Sequence, residues 1–223
     1  MRTTPFSNLA QFQDSLEVLF LTRSDTIGSD ADIARVTGRT NLVGLKQVHG
    51  NVALRVTEPS SRILEADALA TDVPGLTLTI RFADCQNALI FAPKKRVACL
   101  VHAGWRGVRS KVMTNAYSLL RQEWNIHPGE TVVALGPSLC IGCAEFTDPA
   151  KEAPELGQFF YGRHIDLQSA LDAELRSIGV PKENVERASE CTKCEPENFF
   201  TYRGGDKLIV ERGTVNALAV TLV

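Results

Sequence analysis

Two apolar runs in TIRFADCQNALIFAPKKRVACLVHAGWRGV, residues 79–108, constrain this chain more than any other stretch. Each run ends on a residue able to bind a metal. The first stops at Asp84-Cys85 and the second at His102, just before Ala103-Gly104-Trp105-Arg106-Gly107. Both runs read as β-strands. A thiol and an imidazole at the ends of such strands lower stability unless they bond to something.

Other short runs read as strands: Val18–Thr22, Leu42–Val48, Val52–Thr57, Leu76–Phe82, Ala88–Phe91, Val97–Val101, Thr131–Leu135 and a closing Val215–Val223. His49-Gly50-Asn51, between two of them, reads as a hairpin turn in which Gly50 supplies the unusual dihedral. Apolar residues at 108, 112, 116, 119, 120 and 124 predict a helix over Val108–Trp124. Leu167, Leu171, Leu175 and Ile178 mark a second helix, ended by Gly179 and Pro181. With strands clustered ahead of helices and no repeat or flexible linker, residues 1–223 are expected to form one α+β domain with mixed sheets and flanking helices. A hydrophobic fraction of 44% suits a sizeable core.

The net charge of −2 and a pI near 6.1 argue against nucleic acid as a partner. No export signal and no run of membrane-spanning length is visible, so a reducing, cytoplasmic setting is expected. There the six cysteines are thiols or metal ligands rather than disulfides.

Four histidines are present. His127 lies in a loop and His164 in a polar stretch, whereas His49 directly follows an apolar run. A His49/Cys85/His102 set offers three ligands and an open fourth position, the pattern of catalytic zinc. The competing reading makes the thiol a small core residue and each imidazole a satisfied one. Cys99 lies mid-strand and reads as core. Cys140-Ile-Gly-Cys143 and Cys191-Thr-Lys-Cys194 resemble the two halves of a zinc ribbon, but residues 144–190 separate them. That gap exceeds ordinary ribbon spacing, which favours reduced thiols flanking the main site. Beyond His102, Gly104 and Gly107 flank Arg106, and a helix start near Val108 would aim its amides at an anion. The competing reading is that Trp105 and Arg106 pack the loop against the sheet.

At these residues the chain resembles the laccase-domain family, whose members are named both multicopper polyphenol oxidase and purine nucleoside phosphorylase. The matching stretches are LKQVHGN (45–51), EADALATDVPGLTLTIRFADC (65–85), HAGWRGV (102–108), GPSL (136–139), DL (166–167) and CTKCEPENFFTYRGG (191–205), with FLTR (20–23) as an early element. The resemblance implies that His49, Cys85 and His102 are catalytic and bind zinc, with copper able to take its place. It implies phosphorolysis of purine nucleosides by inorganic phosphate, a glycosyl transfer, with adenosine deamination and methylthioadenosine cleavage as companions. Arg23, Arg106 and Arg203 would hold phosphate or substrate, and Asp84 would support the metal ligands from behind. The chain departs from the family at Gln86-Asn87, Ala144, Gly204 and the stretch Gly213-Thr214-Val215-Asn216, which would put substrate preference in question if they line the pocket.

Four imidazoles, two of them expected at the surface, are too few for a mononuclear copper plus a trinuclear cluster. Polyphenol oxidation is therefore the weaker reading. The residues also admit a metal-free hydrolase with Cys85 as nucleophile, and a metal-binding module without enzymatic activity.

Overall fold

The computed structural model describes residues 2–3 and 6–223. Among these residues thirteen strands form: β1 (Arg2–Thr3), β2 (Leu16–Leu21), β3 (Leu42–Gly44), β4 (Ala53–Arg55), β5 (Ala68–Thr71), β6 (Thr77–Phe82), β7 (Gln86–Ala92), β8 (Val97–Ala103), β9 (Val132–Leu135), β10 (Phe160–Tyr161), β11 (His164–Ile165), β12 (Val185–Arg187) and β13 (Asn216–Leu222). The helices are α1 (Asp30–Thr37), α2 (Trp105–Arg109), α3 (Val112–Trp124), α4 (Pro149–Glu152), α5 (Leu167–Ile178) and α6 (Lys207–Glu211).

Alternation along the strands decides the architecture. On β2, Val18 and Phe20 face one core while Leu19 and Leu21 face another. On β8, Ala98 and Leu100 point one way, and Val97, Cys99 and Val101 the other. Strands apolar on both faces must be covered on both. Two sheets, in orders β1-β2-β13-β6-β3 and β12-β9-β7-β8-β5-β4, therefore pack against each other through Phe20, Leu78, Ile80, Leu100 and Leu218. Helix α1 covers the outer face of the first through Ile33, and α3 with α5 covers the second through Met113, Leu120, Leu171 and Leu175. Both sheets are mixed: β3–β6, β4–β5 and β9–β12 are parallel pairs among antiparallel ones. The α+β expectation holds, in four layers. Cys99 is fully buried, as its mid-strand position implied.

Two expectations are corrected. Residues 49–51 do not close a hairpin, because β3 and β4 belong to different sheets and the chain crosses between them. The residue in the left-handed region is His49 (φ 60°), not Gly50. The helix expected over 108–124 is two helices: α2 starts at Trp105, Lys111 turns left-handed (φ 65°), and α3 starts at Val112. The loop amides at 108–110 are thus spent inside α2, with Val108 N–H donating to Gly104 O at 2.9 Å, rather than turned toward an anion. The helix at 167–178 stands as expected, closed by Gly179 in the left-handed conformation. Strand β5 and helix α1 are not legible in the periodicity. Among the described residues no helix is long and apolar enough to cross a membrane.

Candidate functional site

Three chain segments meet at the seam between the sheets. Residues 45–52 cross from one sheet to the other and carry His49. Residues 83–85 cross in the same direction, from β6 to β7, and carry Cys85. His102 lies on β8, paired in register with Asn87 of β7. The ligand atoms of His49, Cys85 and His102 lie within 4.8 Å of one another, a set that one metal ion could hold. The two imidazoles meet edge to face, with centroids 4.9 Å apart.

The residue that organises this cluster is Asp67, at the head of β5 and fully buried. Its Oδ1 lies 2.8 Å from His102 Nδ1 and accepts the His49 amide at 3.0 Å. Its Oδ2 accepts the amides of Gly50 at 2.6 Å and Val48 at 3.3 Å. One carboxylate therefore fixes the ring of His102 and the backbone on which His49 sits. Burial raises the Asp67 carboxyl, but His102 and the Gly50 and His49 amides outweigh it and lower its pKa. Burial likewise opposes charge on Cys85, yet His102 and His49 hold the thiol down to about 6. Burial opposes charge on His102 as well, and Cys85 with Asp67 raises it to about 9. A thiolate facing imidazole is a donor set suited to a borderline-soft divalent metal.

Close packing of backbone completes the cradle. A Cβ on Gly104 would stand 2.7 Å from His49 Cδ2 and 3.1 Å from Cys85 Sγ, so only glycine fits beside both side chains. Gln47 ties the His49 loop to β6, its amide donating to Arg81 O at 2.6 Å and accepting the Arg81 amide at 2.8 Å.

The cluster lies in a cleft of about 470 Å³, lined also by Trp105, Arg106, Gln168, Tyr202 and Arg203. Arg106 stacks over Trp105 at 4.6 Å, and Trp105 meets Phe146 edge-on. The stacking is the packing reading of this stretch, with the Arg106 side chain also lining the cleft. Arg203 stacks on Phe146 at 4.9 Å and donates from its guanidinium to Glu145 O. Arg23 is outside the cleft lining. Its guanidinium lies over Phe200, donates to Phe199 O and pairs with Asp206, bracing the segment that carries Arg203.

Asp84 does not back either histidine. Its Oδ1 accepts the hydroxyls of Thr192 (2.8 Å) and Thr201 (2.7 Å), and its Oδ2 accepts the Arg203 amide (2.7 Å). It anchors residues 191–203 beside Cys85, from a left-handed backbone (φ 84°). The support expected of Asp84 comes from Asp67. A sequence signal existed: an acid directly ahead of the apolar run Ala68-Leu69-Ala70 must be buried and bonded.

Val215 and Gln86 are the departing positions that line the cleft, and Gln86 is the polar one. Its amide donates to Asn87 O and Gly136 O and accepts from Ser138 Oγ, tying β7 to the loop after β9. Ala144 is buried away from the cleft. At Gly204 a Cβ would meet Thr201 Cγ2 at 2.3 Å, so this backbone excludes the arginine common in the resembling family. His127 is exposed and His164 half-buried, and neither joins the cluster.

Known proteins resemble this chain in sequence and in fold. An adenosine deaminase named RL5, from an unknown prokaryote, is 28% identical over 208 residues, covering 85% of this chain and 78% of that protein. A purine nucleoside phosphorylase of Bacteroides thetaiotaomicron is 30% identical over 148 residues, covering 61% of this chain and 55% of its own length. The crystal structure of YlmD from Geobacillus stearothermophilus superposes with a TM-score of 0.79 at 22% identity, covering 97% of this chain and 93% of that one. NMB0706 of Neisseria meningitidis gives 0.76 at 21%, covering 93% and 94%, so the fold is shared. The family described as multi-copper polyphenol oxidoreductase laccase matches residues 29–220, and the chain belongs to that family.

Proposed function

We propose that this protein is a zinc-dependent purine nucleoside phosphorylase. The observation that carries the reading is the convergence of His49, Cys85 and His102 in a cleft shared with Arg106 and Arg203. Relatives named purine nucleoside phosphorylase support it. A cleft of about 470 Å³ is within the usual range for a small-molecule site.

The residues present suit zinc: two imidazoles and a thiol lowered toward thiolate, with no room beside them for a side chain at Gly104. When bound, the metal supplies Lewis-acid charge in the cleft. Asp67 holds the His102 ring in the tautomer whose Nε2 is free to ligate. Arg106 and Arg203 hold inorganic phosphate against the ribose face, neutralising its charge and orienting one oxygen toward C1′. A bond forms between that oxygen and C1′ as the glycosidic bond breaks, and its electron pair leaves with the purine, which takes up a proton. Trp105 and Tyr202 line the same cleft and offer aromatic surface to the base.

The relative that matches 85% of this chain is named adenosine deaminase, which favours hydrolytic deamination as a companion activity. One assay separates the two. Purified protein given adenosine or inosine is expected to release base and ribose 1-phosphate only when phosphate is present. Ammonia from adenosine without phosphate marks deamination. Free ribose in place of ribose 1-phosphate, or base release indifferent to phosphate, would contradict the phosphorylase reading.

A further inference from the structure

Cys140, Cys143, Cys191 and Cys194 are separated by a stretch too long for a ribbon motif, yet their sulfurs converge within 4.8 Å of one another. The fold closes the gap. Ser138 and Cys191 form a parallel bridge, and the Thr192 amide donates to Ser138 O at 3.2 Å. The loop after β9 and the segment starting at 191 thus lie side by side, each presenting its Cys-x-x-Cys to the other.

We propose that these four cysteines form a second metal site, a tetrathiolate that holds zinc. Cys143 and Cys194 sulfurs are 3.6 Å apart, and Cys140 and Cys194 sulfurs 3.9 Å. Four sulfurs about 2.3 Å from a central zinc form a tetrahedron with edges of about 3.8 Å. A disulfide would need about 2.05 Å. The Cys140 amide donates to Cys191 Sγ at 3.3 Å, a contact that favours thiolate on that sulfur. All four positions are filled by protein, so the site is closed to substrate and holds structure together.

What it joins is specific. One arm is the loop carrying Ser138 and Leu139 of the cleft wall. The other leads into Thr192, Thr201 and Arg203, the three residues that grip Asp84 next to Cys85. Zinc on the four thiolates would lock both walls of the cleft at their outer rim, where Cys194 is exposed.

The proposal is independent of the catalytic reading and is tested by metal content, not turnover. Protein expressed in zinc-supplemented medium and purified under reducing conditions should carry about two zinc ions per chain. Cys85→Ser should retain about one, and adding Cys143→Ser and Cys194→Ser to it should remove that one. Cobalt substituted into Cys85→Ser should give the intense thiolate-to-metal absorption and tetrahedral bands of a four-sulfur site. Stripping the metal from Cys85→Ser should speed amide exchange in 137–146 and 190–205, a readout that needs no cysteine variant at the rim. A folded Cys85→Ser protein that holds no metal, with four alkylatable rim thiols or with two disulfides, would overturn the proposal. Iron in place of zinc would overturn the assignment of the metal.

Discussion

Asp67 Oδ1 lies 2.8 Å from His102 Nδ1, and the same fully buried carboxylate accepts three successive backbone amides from Val48 to Gly50. The orientation of one ligand and the position of another thus depend on a single side chain. Asp67→Asn keeps the shape but removes the charge and turns an amide N–H toward backbone donors. Zinc affinity at the His49/Cys85/His102 site is expected to fall roughly ten- to a hundredfold. Competition titration against a chromophoric chelator measures it, and affinity unchanged within error would show that Asp67 does not support the ligands.

Gly104 touches both remaining ligands. Gly104→Ala places a methyl 2.7 Å from His49 Cδ2 and 3.1 Å from Cys85 Sγ. Since Gly104 has an ordinary extended backbone (φ −63°), the conflict is with the ligands and not with the dihedral. Turnover is expected to drop roughly a hundredfold, because a displacement of about 1 Å is enough to do so. The melting temperature should change far less. Normal turnover in the folded variant would mean that His49 and Cys85 need not be this close.

Arg106 has its guanidinium on Trp105 at the edge of the cleft. Arg106→Ala should raise the KM for phosphate roughly ten- to a hundredfold, corresponding to about 1.5–3 kcal/mol for a charge-assisted contact. The nucleoside KM should move little. Cys85→Ala should go further and abolish turnover, since it removes a metal ligand. Steady-state kinetics with each substrate varied in turn decides both, and an unaltered phosphate KM in Arg106→Ala removes that arginine from the mechanism.

Glu174 on α5 is buried against α3, where its Oε1 accepts the Thr114 amide at 2.9 Å and hydroxyl at 3.0 Å. Its Oε2 has no partner. Burial raises its pKa above the ordinary 4.5, and the Thr114 contacts only partly offset this. The folded state therefore binds this proton more tightly than the unfolded one. The favourable contribution is complete below pH 4.5 and is lost as pH rises through the folded value. Glu174→Gln, neutral throughout, should gain stability relative to the parent as pH rises from 5 to 8, over the span from about half a unit above the ordinary glutamate value to mildly alkaline conditions. Urea unfolding at several pH values reads this, and a parallel pH dependence in the two proteins would refute it.

Much of this was legible along the chain. Apolar runs such as Thr77–Phe82 and Val97–Ala103, buried on both faces, announce strands because alternate residues must enter two different cores. Cys85 and His102 stand at the ends of such runs, and polar groups there must bond within a site. His49 follows the same logic after the run Leu42–Val48, of which Leu42–Gly44 is strand. Spacing could not say that β3 and β4 part into different sheets, because a turn and a crossing use the same residues. Only pairing with β6 and β5 distinguishes them.

The chain by itself determined which residues are candidates for chemistry: two imidazoles, a thiol and arginines set among glycines, types able to bind metal and anion where they are brought together. Tertiary structure alone decided the company they keep. Asp67 rather than Asp84 backs His102, Arg23 braces a loop instead of facing the cleft, and two cysteine pairs separated by residues 144–190 share one centre. The reason is physical. Local pattern reports burial and periodicity, whereas a carboxylate's partner is chosen by which unsatisfied donors the packed sheets bring within 3 Å of it.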